Sequence, residues 1–270
     1  MRPRRIAIIC KAASPRATQA AARAVDVLRG RVKLVADPAT ARVFGLPGLP
    51  VERMAADAVL CVGGDGTILR TLQALKRPVP VLGVNLGTIG FLADVAPSRL
   101  EERLRALLAG FQVEERMRLD ARVNGRPMPP AMNETVVLSA TPGRMLHHHV
   151  AVDGQDLLHL RADGLIFATP TGSTAYAMSA GGPIVDPRLE AVIVVPLAAF
   201  TLTARPILVH PESTVSVRVS EPAAVSVDGV VSARLKGKEA MTVSRAAKPA
   251  RFVRLETPFF EKARRKFMEV

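Results

Sequence analysis

A carboxylate stands inside a glycine-rich turn in the first third of the chain. Gly63, Gly64 and Gly66 surround Asp65 in the stretch CVGGDGT. Glycines permit positive φ and let a phosphate approach the backbone, and the start of the following helix favours an anion. Since phosphates are themselves negative, Asp65 needs its own explanation. We expect it to accept a proton from a hydroxyl that attacks a phosphoryl group, or to help hold magnesium. A turn aspartate that bonds its own backbone is the structural alternative.

Two common phosphate motifs are absent from this turn. The sequence contains neither G-x-x-x-x-G-K-[ST] nor G-x-G-x-x-G at this position. The turn is therefore neither a standard P-loop nor the dinucleotide fingerprint of hydride-transfer enzymes.

A second candidate segment, RADGLIFATPTGSTAYAMSAGGPIVDP, runs from residue 161 to residue 187. It is dense in small hydroxyl residues and glycine, which let a flat ligand lie close to main-chain donors. Tyr176, the only tyrosine, is placed to stack on a base. The alternative is a long surface loop, although a loop of this length is uncommon without a function. A third motif, MNETVV, brings Asn133 and Glu134 into a strand, and by itself it fits a strand-edge turn equally well.

Alternating strand and helix patterns over residues 1–115 must position the glycine turn. Strands are expected in RRIAIIC, RVKLVAD, DAVLCV and VPVLGVN. The first helix is expected to be capped by Ser14, with Pro15 at its first position and Gly30 at its end. A later helix is expected to open with a Ser98…Glu101 capping box. This alternation predicts an α/β domain with a Rossmann-like parallel sheet.

Residues 116–255 change to alternating patterns with Asn-Gly and Asp-Gly turns, such as RLDARVNGRPM and AVSVDGVVSA. These patterns are typical of antiparallel strands and predict a second, β-rich domain. A C-terminal helix over residues 256–270 is expected to pack back on the first domain. The patterns therefore predict an N-terminal α/β domain followed by a C-terminal β-rich domain.

Composition narrows the class of protein. Apolar runs are too short to span a bilayer, and the two cysteines, Cys10 and Cys61, fit buried free thiols. We therefore expect a cytoplasmic protein without a membrane role. The net charge of +13 fits an arginine-rich surface or a small anionic ligand better than nucleic acid, because aromatic residues make up only 4% of the chain.

These motifs, in this order, resemble the NAD kinase family, and they look nearer to its archaeal members. The match comprises GGDGT at 63–67, NLGTIGFL at 85–92, NE at 133–134 and DGLIFATPTGSTAY at 163–176. The resemblance implies phosphoryl transfer from ATP or polyphosphate to the adenosine ribose 2′-hydroxyl of NAD, giving NADP. It implies a fold with an N-terminal Rossmann-like α/β domain and a C-terminal β-sandwich domain that binds NAD. It also implies Mg²⁺ carried mostly with the donor, and a homodimer or homotetramer whose site is completed by a neighbouring subunit.

The resemblance also assigns residues. Asp65 corresponds to the catalytic carboxylate beside the 2′-hydroxyl. The remaining assignments are contacts to NAD or phosphate: Gly64, Gly66, Thr67, Phe91, Asn133, Glu134, Arg161, Asp163, Thr171, Thr174, Ala175, Tyr176, Ser179 and, from spacing, Ala198. Asp228, in VSVDGVVS, is a further residue expected to face the ligand.

Two alternatives to this function stay open on sequence alone. A lipid kinase acting on a diacylglycerol or sphingoid-type base shares the GGDGT loop, and a non-catalytic protein that binds a dinucleotide or nucleic acid fits the positive charge. The run HHH at 147–149 suggests a metal, but no carboxylate or cysteine accompanies it at ligand spacing in the sequence. We expect those histidines to lie at the surface or at a sheet edge, and no metal ligands among the site residues.

Overall fold

The computed structural model describes residues 1–87, 90–93, 95–201, 203–237, 239–254 and 259–267. The chain divides into two compact units. The first combines Met1–Glu115 with Ala250–Val270, and the second is Arg116–Pro249.

The first unit starts with alternating strands and helices. Its strands are β1 (Arg5–Cys10), β2 (Lys33–Ala36), β3 (Ala58–Gly63), β4 (Val81–Asn85) and β5 (Val113–Arg116), and its helices are α1 (Pro15–Leu28), α2 (Pro38–Phe44), α3 (Asp65–Ala74) and α4 (Leu100–Ala109). The first four strands pair in parallel, as the sequence predicts. Because β1 and β3 carry almost only buried apolar residues, they form the centre of this unit's core. The short helix α2 is not among the predicted elements.

The ends of two helices test the capping predictions. Ser14 accepts a hydrogen bond from the Ala17 N–H, and Pro15 is the first residue of α1, as expected. The Ser98…Glu101 capping box is wrong. Residues 97–99 form a 3₁₀ turn, α4 begins without a side-chain cap, and Glu101 pairs with Arg23 of α1 at 3.0 Å instead.

The second unit is built from two antiparallel sheets. Its strands are β6 (Leu119–Val123), β7 (Arg126–Pro127), β8 (Glu134–Ser139), β9 (Leu146–Val152), β10 (Gln155–Ala162), β11 (Gly164–Ala168), β12 (Val192–Leu197), β13 (Ile207–Val209), β14 (Val215–Val219), β15 (Pro222–Val227), β16 (Val230–Lys236) and β17 (Ala240–Arg245), with one helix, α5 (Tyr176–Ser179). The sheet orders are β10-β9-β14-β17-β6-β7 and β13-β12-β11-β8-β15-β16. Inward-facing residues of both sheets share one core, which defines a β-sandwich.

Three tight turns in the sandwich follow the predicted chemistry. Asn124-Gly125, Asp153-Gly154 and Asp228-Gly229 each place both residues at positive φ, between 45° and 82°. This is the type I′ geometry that a two-residue hairpin requires. The turns connect β6 to β7, β9 to β10 and β15 to β16.

The chain then returns to the first unit. Strand β18 (Ala250–Val253) completes the sheet order β2-β1-β3-β4-β18-β5, and helix α6 covers Phe259–Phe267. The Phe259 ring lies 5.8 Å from the Phe91 ring, so α6 packs on the segment that follows β4. Residues 256–258 and 268–270 of the expected C-terminal helix lie outside the described residues. The predicted fold class, α/β followed by a β-sandwich, is confirmed.

Two further expectations concern cysteines and membrane spans. Cys10 and Cys61 are both buried free thiols, as predicted. Burial raises the pKa of Cys61 to about 12 and that of Cys10 to about 11, so both stay protonated at neutral pH. Within the described part of the chain, the helices are all too short or too polar to cross a bilayer.

Candidate active site

The glycine turn lies at the carboxyl end of β3. Gly64 caps α3 with φ −117°, and Asp65 is the first residue of that helix. The turn does not use the positive φ that glycine permits, because Gly63, Gly64 and Gly66 are not among the residues with left-handed backbone. A Cβ at Gly63 would lie 2.3 Å from Thr67 Oγ1, whereas a Cβ at Gly64 or Gly66 would meet nothing within 4 Å. The last two glycines therefore leave the backbone open to a ligand.

Asp65 holds the segment that follows β4. Its Oδ2 accepts the Phe91 N–H at 2.9 Å, and its Oδ1 accepts the Leu92 and Ala93 N–H groups at 3.3 and 2.8 Å. Asp65 is therefore not a turn aspartate that bonds its own backbone, which was the structural alternative. The carboxylate bonds backbone 26 to 28 residues away, rather than its own turn.

The Asp65 carboxylate keeps one accepting position. A carboxylate offers about four lone-pair sites, and the described backbone donors use two at Oδ1 and one at Oδ2. Gly90 allows this close packing, because a Cβ there would lie 2.3 Å from Oδ1. The arrangement fixes the direction of Oδ2 and leaves it able to accept one hydroxyl.

The other predicted residues of the first unit lie around this turn. Thr67 is buried in the first turn of α3, and its carbonyl accepts the Thr71 hydroxyl at 2.8 Å. Phe91 is also buried, and the Lys266 ammonium of α6 lies 4.7 Å from its ring centroid. Thr88 and Ile89 of the expected NLGTIGFL loop lie outside the described residues.

In the second unit, Asp228 fixes the Asn-Glu motif. Its carboxylate accepts the backbone N–H groups of Met132, Asn133 and Glu134 at 2.9, 2.7 and 3.1 Å. Asp228 reaches them because it is the first residue of a type I′ turn, with φ 45°. The Asp228 side chain therefore fixes the conformation of the Asn-Glu motif by accepting hydrogen bonds from the motif's backbone.

Glu134 is a buried acid with an unusual environment. Its side chain is 5% exposed, and among the described residues its Oε2 has no hydrogen-bond partner. Burial, and then the charge of Asp228, raise the pKa of Glu134 to about 8, with a smaller opposing effect of hydrogen bonding from the Tyr176 backbone. At neutral pH this carboxyl is mostly protonated, so it can donate one hydrogen bond and accept others.

The hydroxyl-rich segment folds against the Asn-Glu motif. Thr169 donates its hydroxyl to the Met132 carbonyl at 2.7 Å and accepts the Gly172 N–H at 2.9 Å. A Cβ at Gly172 would lie 2.0 Å from the Asn133 carbonyl oxygen, so the two segments approach each other as closely as backbone allows. The expectation that this segment is more than a surface loop is consistent with its burial, since Thr169 is fully buried.

The predicted ligand contacts of this segment divide between buried and exposed positions. Thr171 and Thr174 are buried in a 3₁₀ turn, where the Thr174 hydroxyl bonds the Thr171 carbonyl at 3.3 Å. Ala175, Tyr176 and Ser179 follow at and within α5, and the Tyr176 side chain is 40% exposed. The tyrosine ring is therefore accessible to a flat ligand, whereas the two threonines are buried in the turn that precedes it.

Three predicted contacts lie at the opposite end of β11. Asp163 precedes this strand, whereas Thr169 follows it. Ala198 directly follows the β12 residue that pairs with Gly164, and it has φ 48°. Five residues of extended chain separate the two ends by roughly 16 Å. Within one chain, Asp163 and Ala198 are therefore not brought together with Thr171 and its neighbours.

Arg161 also lies towards this far end of β11. It is exposed near the end of β10, with its guanidinium 5.2 Å from the centroid of the Phe200 ring. The structure therefore places this arginine against an aromatic side chain, in a cation–π contact, and leaves it accessible to an anionic group.

One member of the HHH run, His148, differs from the expected surface location, whereas His147 is exposed as expected. His148 faces the sandwich core and is 2% exposed, because Leu146, His148 and Val150 alternate onto the inner face of β9. Burial lowers the pKa of His148 to about 4. Although no carboxylate stands at ligand spacing in the sequence, the fold brings Asp156 to 2.8 Å from His149 across the β9–β10 hairpin.

Several residues of the site have little sequence signal. Arg118 is buried, donates to the Pro130 carbonyl at 2.5 Å and interacts electrostatically with Asp228. No motif surrounds it in the sequence. The supporting bonds of Thr169 are equally hidden, whereas Asp228 stands in an Asp-Gly turn that the sequence indicates, although not the backbone contacts it makes.

Comparison with known proteins identifies this arrangement. The ATP-NAD kinase N-terminal domain matches residues 47–111, and the ATP-NAD kinase C-terminal domain matches residues 132–255. The NAD kinase of Methanosarcina acetivorans is 42% identical over 270 residues, 97% of this chain and 98% of that protein. The NAD kinase of Methanothermobacter thermautotrophicus is 42% identical over 227 residues, 82% of this chain and 80% of that protein.

Comparison with solved structures agrees with these sequence matches. An NAD kinase from Archaeoglobus fulgidus, in complex with ATP, superposes with a TM-score of 0.83 at 34% identity, covering 96% of this chain and 98% of that chain. The yeast NADH kinase in complex with NADH superposes with a TM-score of 0.91, covering 100% of this chain and 89% of that chain. At 23% identity, the second likeness is one of fold.

The family models and the curated relatives identify the chain as a phosphotransferase with an alcohol group as acceptor. The chain belongs to the NAD kinase family, and it is an enzyme that phosphorylates NAD. The resemblance predicted from GGDGT and DGLIFATPTGSTAY is confirmed, including its archaeal character. The lipid kinase and the non-catalytic binder gain no support from these matches.

Proposed function

We propose that this protein uses ATP as phosphoryl donor, with Asp65 receiving the attacking 2′-hydroxyl of the adenosine ribose of NAD. The observation that carries the proposal is the held carboxylate in the glycine turn. Three backbone bonds fix Asp65 while leaving Oδ2 one accepting position. A fixed acceptor orients a hydroxyl for in-line attack and takes up its proton. The glycine-turn N–H groups then stabilise charge on the transferred phosphoryl oxygens.

The residues of the second unit bind the dinucleotide in this proposal. Asn133 and Glu134 offer amide and carboxyl groups on a backbone that Asp228 holds still. Since Glu134 is mostly protonated at neutral pH, it can both donate to and accept from ribose hydroxyls. Tyr176 supplies an accessible aromatic face for a base.

Mg²⁺ enters with the donor phosphates rather than in a site of the protein. Mg²⁺ prefers oxygen ligands in octahedral geometry and usually keeps several waters and substrate phosphates. The one remaining carboxylate position of Asp65 is given to the hydroxyl in this proposal, so donor phosphates and water would supply the ligands of the ion. Bound in this way, the ion would neutralise charge on the donor phosphates. Polyphosphate is the alternative donor, because the same N–H groups recognise both.

The two ends of β11 support a site completed by a second subunit. Asp163, Ala198 and Arg161 lie away from Thr171 within one chain. In a homodimer or homotetramer, these three residues contribute to the neighbour's site. We also place the enzyme in the cytoplasm, because two buried free thiols suit a reducing compartment.

Steady-state turnover of NAD to NADP tests the role of Asp65. With Mg²⁺, NAD and either ATP or polyphosphate, we expect Asp65→Asn to lose ~10²–10⁴ in kcat. Asp57→Asn is the matched control, because Asp57 also accepts two backbone N–H groups, from Arg4 and Arg5, at the other end of β3. Asp57→Asn should keep kcat. If Asp65→Asn turns over like that control at equal stability, the role of Asp65 is wrong.

A further inference from the structure

A group of potential metal ligands lies on the β9–β10 hairpin, outside the kinase site. We call His149, Asp156 and His159 the hairpin triad. Their ligand atoms all lie within 4.8 Å of one another. His149 Nε2 is 2.8 Å from Asp156 Oδ1, and His159 Nε2 is 3.6 Å from Asp156 Oδ2. The two imidazole rings stack with centroids 4.2 Å apart.

The strand register explains why the triad meets. His149 and His159 are direct partners across the antiparallel pair, so their side chains emerge on the same face. Simple alternation would turn Asp156, three residues before His159, to the opposite face. A β-bulge between Asp156 and Leu158 shifts the register, so that Asp156 pairs with Ala151 and shares the outer face with His149. Bulges commonly redirect a side chain in this way.

We propose that the hairpin triad binds a divalent transition-metal ion of the zinc class. Two imidazoles and one carboxylate suit Zn²⁺, Co²⁺ or Ni²⁺, whereas Mg²⁺ prefers oxygen ligands. Ligands about 2.0 Å from a tetrahedral ion lie about 3.3 Å apart, and the observed 2.8 and 3.6 Å lie on either side of that value. Three protein ligands leave a coordination position open to solvent.

The triad can adjust to an ion at small cost. The side chains of Asp156 and His159 are 65% and 67% exposed, so they can rotate without disturbing the sandwich core. Strand β10 is also the edge of its sheet. An ion held by His149 of β9 and by both β10 ligands would therefore join the edge strand to its neighbour.

Positive groups near the triad define the rival interpretation. A cavity of about 690 Å³ on this face is lined by His147, His149, His159, Arg161 and Arg218, among others. Arg218 is the register partner of His149 on β14. The two arginines, Arg161 and Arg218, disfavour a bound dication and would favour an anion, such as phosphate, in place of the metal.

Titration of the full-length protein, without nucleotide, separates the two interpretations. We expect Co²⁺ to give a visible ligand-field spectrum at one equivalent, displaced by Zn²⁺, and Zn²⁺ to raise the melting temperature. His159→Asn and Asp156→Asn should each weaken the metal affinity by at least about tenfold. His147 lies on the same strand and face as His149 but outside the triad. His147→Asn should therefore bind metal as the wild type does.

Kinase turnover serves as the folding check, because none of these side chains belongs to the proposed kinase site. Two independent exposed ligand positions keep the test decisive if one variant folds poorly. The proposal is overturned if the wild type gives no Co²⁺ spectrum at ~1 mM metal, or if His159→Asn and His147→Asn bind metal equally well. Binding of inorganic phosphate with no metal binding also overturns it, in favour of the anion.

Discussion

Replacing Glu134 with Gln should change how the stability of the protein depends on pH. The Glu134 carboxyl has its pKa raised from 4.5 to about 8 by burial and by the charge of Asp228. Between these two values the folded protein holds a proton that the unfolded chain releases. The free energy of unfolding therefore falls by up to ~1.4 kcal/mol per pH unit as pH rises through this window. Gln cannot titrate, so Glu134→Gln removes this decline.

The magnitude follows from the two pKa values. Between pH 5 and pH 7.5, the wild type should lose about 3 kcal/mol relative to Glu134→Gln. Urea unfolding of both proteins at half-unit pH intervals gives the difference curve directly. Glu190→Gln, which removes a half-exposed carboxylate from the same unit, gives the baseline for losing a surface charge.

A flat difference curve between pH 5 and pH 7.5 would refute the reasoning. It would mean that the folded protein does not keep the Glu134 carboxyl protonated, either because water reaches Oε2 or because the charge of Asp228 is neutralised. The interpretation of Glu134 as a combined donor and acceptor for ribose hydroxyls would then lose its basis.

Two further substitutions probe packing and a buried histidine. Gly90→Ala places a Cβ 2.3 Å from Asp65 Oδ1, so we expect it to lower the free energy of unfolding in urea by about 1–3 kcal/mol and to abolish most kinase turnover. Gly64→Ala, whose Cβ meets nothing within 4 Å, should keep its stability. Equal stabilities of the two variants would contradict the packing argument. Burial lowers the pKa of His148 to about 4, so the free energy of unfolding of the wild type should fall by about 3 kcal/mol as pH falls from 6.5 to 4. His148→Leu should lack this loss in thermal melts. The same acid dependence in both proteins would contradict the assignment of the effect to His148.

Much of the fold was predictable because local signals agree with tertiary structure. The apolar runs of β1 and β3 leave no polar face, which indicates strands covered on both sides. The Asn-Gly and Asp-Gly turns required positive φ at both residues, and the hairpins have it. By contrast, the expected capping box at Ser98 failed, because Pro97 opens a 3₁₀ turn and Glu101 forms an ion pair that the local pattern does not contain.

The candidate site was predictable in its motifs and not in its contacts. GGDGT and the Asn-Glu pair indicated Asp65 and Glu134, because the residue types suit phosphoryl transfer. That Asp65 would bond backbone 26 to 28 residues away could not be read from spacing. Spacing also could not predict that Asp228 accepts a hydrogen bond from the Asn133 backbone. Nor could it predict the contact between Asp156 and His149, because a one-residue bulge changes which side chains meet.

The bonds from Asp228 to the Asn-Glu motif have a consequence for synthesis on the ribosome. They join positions 94 to 96 residues apart. During translation, the motif and the hydroxyl-rich segment emerge long before their anchor does, and such distant contacts close late. A nascent chain that ends before residue 228 therefore carries every recognisable nucleotide-binding motif without a rigid place to hold the nucleotide.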